Sequence, residues 1–70
     1  MEKIKELHTV ALLKNIPKKN LYRGDVGTVV TLLSKTVVEV EFTDENGRTT
    51  AIEPLDTSDL IRLRMETVSA

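Results

Sequence analysis

The chain of 70 residues has no cysteine, no tryptophan, a single histidine and only two aromatic residues, Tyr22 and Phe42. Without cysteine there is no disulfide framework and no thiolate metal site, a composition suited to a reducing compartment. His8, with neither cysteine nor a second histidine to join it, makes a poor transition-metal site. With so few rings, Val, Leu and Ile must fill most of the interior. An apolar run of about 18 residues is also missing, and the charged start Met1-Glu2-Lys3-Ile4-Lys5-Glu6 is followed by no signal-peptide core, so no membrane span is expected and the cytoplasm is the expected compartment. Charge of one sign is lacking too. Ten Lys plus Arg stand against eleven Asp plus Glu, and a net charge of −1 advertises no polyanion partner. No glycine-rich loop opens a helix to cradle phosphate, and Ser34 and Ser58 have no identifiable base. The expectation is therefore a protein that is not an enzyme and carries no cofactor or metal.

What is present points to β-structure. Gly24-Asp25-Val26-Gly27 leads directly into Thr28-Val29-Val30, which reads as a tight turn feeding a strand. Glycine permits positive φ at little cost, and Asp25 can accept hydrogen bonds from nearby amides. The first strand is expected over Thr9 to Leu13, with Val10 and Leu12 on one face. Lys14 to Asp25 is expected to be a long ordered loop, because Pro17 cannot donate to a ladder and Asn20 and Gly24 favour turns. Leu21 is expected to pin that loop to the core. The second strand is expected over Thr28 to Leu33, but its continuous apolar content hides which face is buried. After a turn at Ser34-Lys35, the third strand alternates clearly, with Val38, Val40 and Phe42 inward and Val37, Glu39, Glu41 and Thr43 outward.

Asp44-Glu45-Asn46-Gly47 suits a hairpin connection, after which Arg48 to Glu53 should pair back as a fourth strand that Pro54 stops. Asp56-Thr57-Ser58-Asp59 offers side-chain oxygens to cap one helical turn, and Ile61 to Arg64 alternates as a short fifth strand. The fold class expected is all-β: a small five-stranded SH3-like barrel with a long first loop and one 3-10 turn before the last strand. Residues 1–65 should form one domain, and residues 66–70 a frayed tail. Val10, Leu12, Val26, Val38, Val40, Phe42 and Leu60 are the expected shared core.

Ile4-Lys5-Glu6-Leu7, Thr9-Val10, Gly24 to Val30, Val38 to Phe42 and Ser58-Asp59-Leu60 resemble a family of short bacterial proteins of unknown function, frequent in cyanobacteria. The resemblance spans residues 4 to 64. It implies an SH3-like fold and carries no established activity or catalytic residues. His8 stands where that family tends to have aspartate. Gly24 to Val30 is also similar to the glycine-containing turn of KOW motifs in ribosomal and transcription-factor barrels, although the basic surface that accompanies those motifs is missing here.

The strongest local binding signature lies in the long loop. Lys14, Lys18, Lys19 and Arg23 fall within ten residues with no intervening acid, and Tyr22 adds a candidate exposed aromatic. Such a set suits an acidic protein surface through charge pairing and aromatic burial, or phosphate and a stacked base. The plainer reading is a solvated loop whose tyrosine packs on the sheet. Glu39 and Glu41 share a strand face, but an exposed strand supplies no dry site to shift a carboxylate pKa. Asp44-Glu45-Asn46-Gly47 looks like a fragment of a calcium loop, yet a hairpin needs the same residue types. Arg23-Gly24-Asp25 matches a cell-adhesion tripeptide, and we read it as part of the turn. The expected function is thus a non-catalytic module engaging a protein partner, such as an antitoxin or assembly factor working with a neighbouring gene product. The alternative is a KOW-like nucleic-acid contact through the loop.

Overall fold

In a computed structural model that describes residues 3–64, alternating β-branched segments pair into five antiparallel strands. They are β1 (Thr9–Leu12), β2 (Val26–Leu32), β3 (Val37–Thr43), β4 (Thr49–Asp56) and β5 (Leu60–Leu63). The sheet order is β4-β3-β2-β1-β5, so β4 and β5 are its edges. Two 3-10 turns, Pro17–Lys19 and Thr57–Asp59, interrupt the β-structure, the second directly before β5, as the sequence leads one to expect. No helix among the described residues is long and apolar enough to cross a membrane. The expected tail, residues 66–70, lies outside the described residues.

The core follows the pattern of β3. Val38, Val40 and Phe42 are buried while Val37, Glu39 and Glu41 are only half-buried. Val10, Leu12, Leu21, Val29, Leu55 and Leu60 complete the cluster, with Ile4, Ile16 and Ala51 packed against it. Val26 does not join it. The strand begins at Val26 rather than at Thr28, and Val26 pairs with Ala11 while Gly27 pairs with Val10, so alternation turns Val26 outward, where it is 49% exposed.

Pro54 also departs from expectation. It sits inside β4 opposite Glu39 instead of ending the strand. An edge strand has one unpaired side, and a missing N–H there removes no ladder bond.

The ambiguity of β2 has a structural cause. The register with β3 slips between Val29 and Thr31, leaving Val30 as an extra residue. A bulge of this kind reverses the phase of the strand beyond it. Val29 therefore sits opposite Val40 in the core, while Leu32, not Thr31, sits opposite Val38 and shares its face.

Candidate functional site

The loop between β1 and β2 is built by short-range bonds. Pro17 supplies a fixed φ at the start of its 3-10 turn, and Asn20 ends that turn at φ 56°, donating its N–H to the Pro17 carbonyl at 3.0 Å. Ile16 and Leu21 exchange backbone bonds at 2.7 and 3.2 Å, which anchors the loop through buried Leu21. The Asp25 carboxylate accepts from the Tyr22 N–H at 2.8 Å, and Asn15 Oδ1 accepts from the Arg23 N–H at 2.8 Å. Gly24, at φ +94°, donates to the Leu12 carbonyl and returns the chain to the sheet. The aspartate of the Arg-Gly-Asp tripeptide is thus committed to the turn.

The five candidate binding residues do not present one basic surface. Lys14 Nζ lies 2.9 Å from Asp59, and Lys19 pairs with Glu53 on β4. Both acids are remote in sequence, so a local reading of the loop misses them. Lys18 and Arg23 are exposed and have no ion pair to a described residue, and Tyr22 is half-exposed beside Arg23.

A different feature lies elsewhere on the surface. An open groove of about 920 Å³ runs between β5, the second 3-10 turn and the β2–β3 turn. Buried Val38 and Leu60 lie at its base, and the exposed side chains of Leu13, Leu32 and Ile61 form its walls. Lys3, Lys35 and Arg62 line it, and among the described residues no Asp or Glu does. None of Lys14, Lys18, Lys19, Tyr22 and Arg23 is part of it. The sequence signal that could have found the groove is the run Leu32-Leu33 with Lys35, but only the bulge decides that Leu32 faces it.

Hydrogen bonds hold the groove's rim in place. The Thr57 N–H donates to the Thr36 carbonyl at 2.8 Å, and the Leu13 N–H donates to the Asp59 carbonyl at 2.9 Å. Asp56 caps the 3-10 turn, its Oδ1 accepting from the Ser58 N–H at 2.9 Å and the Ser58 hydroxyl at 2.8 Å. Those bonds, the amide's first and the hydroxyl's next, hold the Asp56 carboxyl below its ordinary value, which makes it a weak base. Ser34 Oγ likewise accepts from the Thr36 and Val37 amides at 3.2 and 3.0 Å. Both groove serines therefore stabilise turns.

Beside the groove, residues 5–8 form a tight turn that the sequence did not reveal. The Lys5 N–H donates to His8 Nδ1 at 2.9 Å, and the Leu7 N–H donates to the Val29 carbonyl at 2.8 Å. Leu7 adopts φ 69° and projects into solvent. Partial burial, with the Arg62 and Lys5 charges nearby, holds the His8 imidazole below its ordinary value.

Glu41 and Asp44, two of the carboxylates noted in the sequence, have structural partners. Glu41 accepts from the Thr49 hydroxyl at 2.9 Å, and Asp44 Oδ1 accepts from the Asn46 and Arg48 amides at 2.8 and 3.0 Å to close the hairpin. Among the described residues no group of three or more His, Cys, Asp or Glu could hold a metal ion.

A family model described as Domain of unknown function (DUF4926) matches residues 6–62. The chain belongs to that family. The DUF4926 match takes in β1 to β4 and most of β5, and with them the bulge, the second 3-10 turn and the walls of the groove. Lys3 and Ile4, at one end of the groove, lie outside the DUF4926 span. No curated protein and no solved structure matches the chain.

Proposed function

We propose that this protein is a non-catalytic, SH3-like binding module that engages a protein partner in the cytoplasm, as an antitoxin or assembly factor would. The observation that carries this reading is the open apolar groove, walled by leucine and isoleucine side chains that a monomer leaves in water. Burying such a surface against a partner is favourable in proportion to the apolar area removed from water. A catalytic use of the same groove would need a nucleophile and a base, whereas its serines are engaged in capping and turn bonds. The SH3-like assignment rests on the strand order and on the long loop after β1.

Nucleic-acid binding through the loop is the weaker reading, because Lys14 and Lys19 already spend their charge on Asp59 and Glu53. Co-purification of the tagged full chain from its native host tests the proposal. Recovery of one protein in stoichiometric amount, resistant to nuclease, is the expected result. Recovery of nucleic acid alone, or of no partner, overturns it.

A further inference from the structure

The charges around the groove run against those of the whole molecule. Acids outnumber bases by eleven to ten in the chain, yet among the described residues the groove is lined by three cations and by no acid. Lys3 and Lys35 have no ion pair to a described residue, in contrast to Lys14 and Lys19. The groove's walls are equally unsatisfied: Leu13, Leu32 and Ile61 are 43, 45 and 50% exposed. Its volume of about 920 Å³ exceeds what one side chain fills and lies near the top of the roughly 300–1,000 Å³ range of ligand clefts. A small polar ligand would need converging polar groups, but Ser34 and Ser58 are committed to turns. No aromatic residue lines the groove, so bases of a nucleic acid would find nothing to stack on.

Building on the reading that the protein engages a protein partner, we propose that this groove receives a peptide segment of that partner in which apolar side chains alternate with or flank carboxylates. The apolar side chains pack between Leu32 and Leu13 or Ile61, over Val38 and Leu60. The carboxylates meet Lys3 and Lys35 at the rim. Apolar burial supplies the affinity, and the cations set orientation and reject basic segments, since like-charge juxtaposition at an interface is costly.

Selection of the full chain against a random-sequence peptide library tests this directly. Enriched peptides should be rich in Asp or Glu together with Leu, Ile, Val or Phe, and in titrations they should move the amide resonances of Leu32, Ser34, Thr57 and Ile61. Lys35→Glu, at an exposed turn position, should leave the fold intact and weaken binding by roughly tenfold, while exchanging the peptide's acids for lysine should restore part of it. Leu32→Ala should weaken binding without changing the charge preference. Enrichment of basic or uncharged peptides, no enrichment, or oligonucleotides shifting the same amides overturns the proposal. So does a concentration-dependent shift of those amides in the protein alone, which would make the occupant a second copy, or a shift on deleting residues 65–70, which would make it that segment of the same chain. If the partner co-purifies and its retention depends on Tyr22 but not on Lys35 or Leu32, the groove proposal fails while the protein-binding reading stands.

Discussion

Gly27 pairs with Phe42 and lies so close to Val40, its diagonal neighbour on β3, that a Cβ added to Gly27 would lie 2.6 Å from Val40 Cγ1. The same Cβ would lie 2.8 Å from the Glu41 carbonyl oxygen. Val40 is fully buried and stiff at χ1, and a carbonyl in a paired strand cannot move alone. Gly27 is thus required by close approach. It does not share the positive φ of Gly24, although the two read alike in sequence.

The two glycines should therefore respond differently to substitution. Gly27→Ala is expected to cost about 1–3 kcal/mol through overpacking, and Gly27→Val more. At Gly24 a Cβ meets nothing within 4 Å, so Gly24→Ala should cost only the backbone strain of φ +94°, about 1–3 kcal/mol, with little further loss from Ala to larger unbranched residues. Urea denaturation midpoints of Ala and Leu variants at both positions check this. A Gly27→Leu variant as stable as Gly27→Ala would contradict the steric account.

Phe42 is the largest side chain of the core and is 3% exposed. Phe42→Ala should cost about 3–5 kcal/mol, much of the roughly 4–10 kcal/mol available to a domain of this length. Ile52, half-exposed on edge strand β4, should tolerate alanine within about 1 kcal/mol. Thermal melts of the two variants check the contrast, and a Phe42→Ala protein that melts like the parent would refute the assigned register.

The sequence told most about the fold where one local rule acted alone. The alternation of β3, the Asn46-Gly47 hairpin and the Asp56 cap each carry their physical cause within a few residues. Val26, Pro54 and β2 escape a local rule because their outcome depends on pairing: Val26 on the start of the strand, Pro54 on β4 being an edge, and Leu32 on the bulge at Val30. The site was less legible for the same reason. Lys14 to Arg23 looks uniformly basic until folding brings Asp59 and Glu53 to it, and the groove gathers residues from four separate stretches of chain.

The turn at residues 5–8 should make stability depend on pH. His8 Nδ1 accepts the Lys5 N–H, so a proton on that nitrogen breaks the bond, and the folded-state pKa lies below the ordinary 6.5. The unfolded chain then takes up its proton first. The contribution of neutral His8 is complete above about pH 6.5 and is lost as the pH falls towards and through the folded value. Asp56, also lowered, loses its contribution only at more acid pH, below its ordinary value of 3.8, so the two windows are separable. Denaturation midpoints between about pH 7.5 and 5 should fall for the parent and stay nearly flat for His8→Asn, whose side-chain oxygen still accepts the amide. Equal slopes would mean that His8 is not the titrating group.

The loop's ion pairs set how it should meet a polyanion. With Lys14 and Lys19 bound to Asp59 and Glu53, Lys18 and Arg23 are the loop cations without an ion pair to a described residue. Binding of the parent to single-stranded oligonucleotide should then be weak at physiological salt, with log K falling against log salt at a slope of about −1.4 for two phosphate contacts. Releasing the paired lysines by Asp59→Asn and Glu53→Gln should steepen the slope towards roughly twice that value and raise affinity at low salt. The substitutions themselves should cost little stability, since exposed ion pairs of this kind contribute about 0–1 kcal/mol. Fluorescence anisotropy across a salt series measures the slopes. A parent that binds below micromolar concentration with a slope already that steep would mean the loop pairs open readily for phosphate, and the nucleic-acid reading would then displace the protein-binding one.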